Sequence, residues 1–225
     1  MNIKNLNVKK QKKDFPLYSI TNYGFSNSTK PLHFFKITNT DNSMKILFFS
    51  DVHGDAASLQ MIIEKINRHQ PDQLAFLGDA LYHGPRNNIK KEYCPKEAIQ
   101  LFNSLKNKIL AVRGNCDGEV DQMMLEFPIL GDYTLIYANQ QTFFLTHGHI
   151  WNENHLPPLG GITILAHGHT HIPMLKKLSN GLIMMNPGSI SLPKGGFPAS
   201  YALADEKEIR IHELVNDNII FTMRL

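Results

Sequence analysis

Apolar positions change their period along this chain, and the changes divide it into elements. From Met44 onward, Ile46-Leu47-Phe48-Phe49 is a continuous apolar run and predicts a strand buried on both faces. Leu59, Ile62, Ile63 and Ile66 then fall at i, i+3, i+4 and i+7, one face of a helix. Leu74–Leu77 predicts a second buried strand, and Ala98, Leu101, Phe102 and Leu105 a second helix. Ile109–Val112 reads as a third strand. Val120, Met123, Met124 and Phe127 read as the buried face of a third helix, ended by Pro128. Strands alternating with helices in this way imply a parallel sheet with right-handed crossovers.

The second half changes character. Runs at Tyr133–Ala138, Thr142–Thr146, Ile162–Ala166, Met174–Leu178, Leu182–Met185, Tyr201–Asp205, Glu208–Glu213 and Ile219–Met223 are short and separated by turn residues. They predict a largely antiparallel sheet packed on the first, with helices outside. Residues 1–43 show no sustained period and read as a solvated, disordered extension, so the compact domain is expected to span 44–225.

Charge sharpens that division. Residues 1–43 carry seven lysines against two aspartates, a net of +5, whereas the remainder carries 16 basic and 18 acidic side chains, a net of −2. The basic character therefore belongs to the extension and gives no argument that the folded body binds nucleic acid. A hydrophobic fraction of 42% with 19% charged residues suits a globular domain with a full core. Two cysteines, Cys94 and Cys116, without a secretory leader point to a cytoplasmic setting and no disulfide. No apolar run approaches the ~20 residues needed to span a bilayer.

The chemistry-bearing residues sit where the buried strands end. Ser50-Asp51-Val52-His53-Gly54-Asp55 follows the first strand and Gly78-Asp79 the second. Arg113-Gly114-Asn115-Cys116-Asp117 follows the third. Two later runs end in His147-Gly148-His149 and in His167-Gly168-His169-Thr170-His171. Ligands of α/β folds gather at the carboxyl ends of strands, so five segments can converge on one place. Carboxylate, imidazole and amide oxygen together suit divalent ions such as Mn²⁺, Fe²⁺ or Zn²⁺. The thiolate pairs of a structural zinc site are absent from the sequence. Taken singly, Asp55 and Asp117 read as helix N-caps and Asn115 as a turn residue.

Asp51-x-His53, Gly78-Asp79, Gly114-Asn115-x-Asp117, His147 and Gly168-His169-x-His171 resemble the motif series of the calcineurin-like metallophosphoesterases. His83-Gly84-Pro85-Arg86-Asn87, Asn186-Pro187-Gly188-Ser189 and Pro193-Lys194-Gly195-Gly196 are similar to the small bacterial YfcE-type phosphodiesterase branch. The resemblance implies a four-layer α/β/β/α sandwich. It implies two divalent ions, most readily Mn²⁺, the first held by Asp51, His53, Asp79 and His171. The second would be held by Asp79, Asn115, His147 and His169, with Asp79 bridging. Ions ~3.5–4 Å apart can share a hydroxide and direct it at phosphorus, so the implied activity is hydrolysis of a small phosphodiester.

Asn115, Cys116 and Asp117 are the catalytic motif by this resemblance. Cys116 stands where most of the superfamily has a histidine; a thiol is a poorer proton donor. That directs attention to substrates with good leaving groups, or to His83 as a replacement acid. Arg86 is the candidate phosphate grip, with a structural ion pair as its alternative, and Arg113 reads as structural. His149 and His167 point away from the ligands by strand alternation. Two other readings stay open: a protein-interaction scaffold, which predicts eroded ligand positions, and a monoesterase or nuclease, which predicts a basic groove. Oligomeric state is open, a homo-oligomer included.

Overall fold

The computed structural model describes residues 34–36 and 43–225. The expected extension otherwise lies outside the described residues. Its one described element is the backbone strand β1 (Phe34–Lys36), paired in parallel with β5 (Tyr133–Ala138). The described residues all fall within one compact unit.

The first sheet grows from β2 (Ile46–Phe49), β3 (Gln73–Phe76) and β4 (Ile109–Ala111), all parallel. Between them lie α1 (Ala56–His69) and α2 (Pro95–Ser104). Asp55 caps α1, its side chain accepting from the Ser58 N–H at 2.9 Å, and Pro95 opens α2 where no N–H is needed. Strand alternation in β2 sends Leu47 and Phe49 toward the helices and Ile46 and Phe48 toward the other sheet. Phe102 of α2 is fully buried against the rings of Phe49, Phe76 and Phe127. No helix among the described residues is long and apolar enough to cross a membrane.

The second sheet has the order β1-β5-β6-β7-β9-β8, with β6 (Gln141–Thr146), β7 (Ile164–Ala166), β8 (Met174–Lys177) and β9 (Ile183–Asn186). The whole is a mixed α/β sandwich of two sheets flanked by helices. α1 and α2 cover the outer face of the first sheet. Over the second, Trp151 stands edge-on to Tyr133 and Phe144, in an irregular segment.

Three expectations change. β6, β7 and β9 are parallel neighbours rather than antiparallel, because the long connection 147–163 permits a crossover. The last strands, β10 (Ser200–Ala204), β11 (Glu208–Glu213) and β12 (Ile219–Arg224), return to the first sheet, β10 antiparallel to β2. The third helix, α3 (Glu119–Met124), is short and its apolar side chains face outward: Val120 is 73% and Met123 82% exposed. Pro128 disfavours helix at Phe127, and by Leu125 the chain is extended. It then buries Leu125, Phe127 and Ile129 with the period of a strand.

These placements predict opposite outcomes for two apolar substitutions. Phe102→Ala should lower unfolding free energy by about 3–5 kcal/mol, whereas Met123→Gln should change it by less than about 0.5 kcal/mol. Urea denaturation of both variants measures the contrast.

Candidate metal centre

The parallel strands end on one edge, and the loops beyond them continue to hydrogen-bond side by side. Asp51 N–H donates to the Gly78 carbonyl at 3.0 Å, His53 N–H to Asp79 at 3.0 Å and Gly168 N–H to His147 at 2.8 Å. The turns are tight. Asp51, His53, Asp79, His169 and His171 all have φ between 48° and 68°, the left-handed region that non-glycine residues avoid. Gly114 is required by space. A Cβ there would lie 2.8 Å from Asp79 Cγ and closer still to that residue's backbone nitrogen.

Three imidazoles are oriented by backbone. The Nδ1 atoms of His53, His147 and His171 lie 2.8, 2.7 and 2.6 Å from the carbonyl oxygens of Tyr82, Leu77 and Leu192. A carbonyl only accepts, so each Nδ1 carries the proton and each Nε2 turns a lone pair inward. His53 Nε2 and His171 Nε2 stand 3.4 Å apart. His171 Nε2 lies 3.3 Å from Asp51 Oδ1, a buried oxygen without a hydrogen-bond partner. Asp79 Oδ2 lies 3.4 Å from His147 Nε2 and 3.7 Å from His53 Nε2. Acceptors facing acceptors at these distances fit a divalent cation.

The side chains form three overlapping groups whose donor atoms lie within 4.8 Å of one another: Asp51, His53 and His171; His53, Asp79 and Cys116; and Asp51, Asp79 and His147. Asn115 Oδ1 joins the last of these at 3.1 Å from His147 Nε2. His169 is more peripheral. Its ring is 5.1 Å from that of His147, and its N–H donates to Asp51 Oδ2 at 3.1 Å. Burial by itself would raise the Asp51 carboxyl, but the adjacent His171 and His147 imidazoles hold it below its ordinary value. Burial would lower His147, but the Asp79 hydrogen bond and both carboxylates outweigh it and raise the ring to about 9, so without a cation the inward Nε2 takes up a proton in its place.

The remaining candidates have distinct places. Asp117 is buried and accepts from the N–H groups of Asp79, Ala80 and Gly114 at 2.7–2.8 Å. It therefore ties the second and third ligand loops together, and Gly118 is the helix N-cap instead. Burial pushes Asp117 up to about 6 against those three donors. Burial and the Asp79 carboxylate push the Cys116 thiol up to about 12. The His83 ring packs edge-on between Tyr82 and Tyr93, with Nδ1 buried and unpartnered. It lines a narrow crevice with His53. Arg86 is exposed and makes no side-chain hydrogen bond or ion pair among the described residues, while Arg113 pairs with Asp132 at 2.6 Å.

Two points differ from strand-based reasoning. His149 lies near the site, its ring 5.4 Å from that of His147, because Gly148 at φ 112° breaks the alternation. Ser189 and Ser191 both donate to the Asp51 carbonyl, at 2.7 and 2.8 Å. Ser189 was legible only as part of its motif, and Ser191 carried no signal. Asn186 Nδ2 donates to the Gly168 carbonyl and to Thr170 Oγ1, bracing the histidine turn from β9.

The family profile of the calcineurin-like phosphoesterase superfamily domain matches residues 44–208. Phosphodiesterase YfcE of Escherichia coli K12 is 40% identical over 177 residues, 79% of this chain and 96% of the relative. A solved structure of that E. coli phosphoesterase matches with a TM-score of 0.77 at 39% identity, covering 80% of this chain and 98% of that one. A phosphodiesterase of Methanocaldococcus jannaschii is 26% identical over 172 residues, 73% of this chain and 95% of the relative. Vps29 of Chaetomium thermophilum shares the fold, with a TM-score of 0.51 at 13% identity over 81% of this chain and 97% of that one.

Crowding at Gly114 gives a direct test of the loop geometry. Gly114→Ala should destabilise the protein by about 1–3 kcal/mol through forced displacement of Asp79. Thermal denaturation beside Gly160→Ala, where a Cβ meets open space, measures it.

Proposed function

Because this chain belongs to the calcineurin-like phosphoesterase superfamily, we propose that it is a phosphodiesterase dependent on two divalent metal ions. Asp51, His53, Asp79 and His171 would hold the first ion, and Asp79, Asn115, His147 and His169 the second. The strongest support is the convergence of three Nε2 lone pairs on Asp51 and Asp79, with every opposing Nδ1 already bonded to backbone. Manganese suits this mixture of carboxylate, imidazole and amide oxygen. When bound, two such ions supply Lewis acidity and a water-derived nucleophile for in-line attack at phosphorus.

The protein's own groups then orient and exclude. Asp79 Oδ2 faces both histidine sets, which favours it as the shared ligand. Asp117 positions the Asp79 loop through backbone N–H groups and is a positioning residue rather than a proton carrier. Burial and the Asp79 carboxylate keep Cys116 a neutral thiol near pH 7, a poorer general acid than a histidine in its place. Good leaving groups are therefore favoured. His83 is the other acid within the loop that covers the site: Gly84 in that loop stands over Cys116 and His53. Arg86, exposed at the surface, is the candidate grip on a substrate phosphate. The intact ligand set argues against a scaffold, and a body of net −2 against a nucleic-acid groove.

Chelator-stripped protein re-fed with Mn²⁺, Mg²⁺ or Zn²⁺ should bind two ions per chain by elemental analysis. It should hydrolyse phosphodiesters in preference to matched monoesters, best with Mn²⁺. Inactivity with every metal on both substrate types would return the scaffold reading. Cys116→His should raise turnover of diesters with poor leaving groups, relative to activated ones, by about tenfold or more. Paired steady-state assays read that ratio, and an unchanged value removes Cys116 from leaving-group control.

A further inference from the structure

His53, Asp79 and Cys116 form a third group of metal-binding side chains beside the two ion positions, their donor atoms within 4.8 Å of one another. His53 Nε2 and Asp79 Oδ2 stand 3.7 Å apart. A tetrahedral site with zinc-like bond lengths has edges of about 3.3–3.7 Å. Modest side-chain rotation therefore lets all three donors share one small cation. Backbone holds the cysteine in place, its N–H donating to Asp79 Oδ1 at 2.8 Å. The loop after β3 closes over it: a Cβ at Gly84 would lie 3.5 Å from Cys116 Sγ and 4.0 Å from His53 Cε1. The sulfur is also met by a donor. Asn115 Nδ2 lies 3.3 Å from Sγ, while Oδ1 of the same amide turns to His147 Nε2. An N–H directed at sulfur steadies the charge of a bound thiolate.

Softness decides which donors an ion uses. Carboxylate, imidazole and amide oxygen suit Mn²⁺, whereas a thiolate selects Zn²⁺ and softer ions. Both sets draw on His53 and Asp79, so a first ion bound one way excludes the other. His53 faces His171 Nε2 at 3.4 Å as well as the sulfur. Among the described residues no such group joins Cys116 to Asp51 or His171. An ion drawn to the sulfur thus gives up those two ligands.

Resting on the two-metal reading of this centre, we propose that His53, Asp79 and Cys116 form an alternative subsite that takes a thiophilic ion such as Zn²⁺ in place of the first Mn²⁺. The S–H bond breaks as the metal–sulfur bond forms, and the proton leaves to solvent without any electron transfer. Cys116 thereby makes the centre discriminate among divalent ions. With Mn²⁺ it stays a free thiol and Asp51 and His171 serve as ligands. With Zn²⁺ it becomes a ligand itself.

Co²⁺ is the probe, because thiolate ligation gives it an intense near-ultraviolet charge-transfer band that oxygen and nitrogen ligands do not. The full chain is stripped with chelator and loaded with Co²⁺, and bound metal is counted by elemental analysis. The band is expected in the unmutated protein and in Cys94→Ser, and is lost in Cys116→Ser and Cys116→Ala, both first shown to be folded by thermal denaturation. Zn²⁺ affinity, read by competition with a chromophoric chelator, should fall about tenfold or more in the Cys116 variants, with Mn²⁺ affinity nearly unchanged. Absence of the band in unmutated protein that has bound Co²⁺ overturns the subsite whether or not the variants fold, and leaves the two-metal reading standing. Equal loss of Zn²⁺ and Mn²⁺ affinity overturns it too. A band that follows the exposed Cys94 instead is adventitious surface binding and has the same consequence. Failure of every divalent ion to bind defeats the two-metal reading and the subsite with it.

Discussion

Donor atoms that would repel one another are held together at the strand ends, and much of the surrounding structure exists to hold them. His53 and His171 bring Nε2 lone pairs to 3.4 Å, and Asp51 Oδ1 is buried beside them without a donor of its own. Backbone carbonyls on the far side of each ring prevent the imidazoles from flipping to relieve the contact. The turns that deliver five of the ligand-type side chains run through left-handed backbone, at a cost of order 1–3 kcal/mol each. Such strain persists only where the neighbouring structure over-determines it. Here the neighbours are two buried sheets and the hydrogen bonds that continue past their ends.

The support is distributed over remote parts of the chain. Asp117 uses one carboxylate to lock the loops after β3 and β4. Ser189 and Ser191 clamp the Asp51 carbonyl from the segment between β9 and β10. Asn186 braces the turn that carries His169 and His171. The Leu192 carbonyl orients His171 from the same segment. β10 pairs beside β2, so this returning chain is anchored to the strand that delivers Asp51. Tyr82 contributes from the loop after β3, its carbonyl orienting His53.

Local patterns carried a large part of this by themselves. Continuous apolar runs identified β2, β3 and β4, and 3.6-residue periodicity identified α1 and α2, because burial on two faces or one leaves an unambiguous short-range trace. Asp55 was legible as a cap because capping involves only the next three residues. Aspartates and histidines immediately after strands pointed to a shared site, because every strand end in such a sheet faces the same edge. Family resemblance added which side chains to expect there.

Tertiary structure decided what depends on partners distant in sequence. Val120, Met123 and Met124 satisfy a helical period, yet among the described residues they stay exposed; periodicity reports which residues share a face, not whether that face is covered. Tyr201–Asp205 looks the same as a strand of either sheet, and only pairing with β2 assigns it. Asp117 reads locally as a cap and becomes a clamp because the N–H groups it accepts from lie 37 and 38 residues away as well as nearby. His149 enters the neighbourhood of the site through one glycine's left-handed turn. The sequence determined which residue types reach the strand ends; the fold determined which of their atoms face one another, because ring orientation and carboxylate partners are set by backbone groups from other strands.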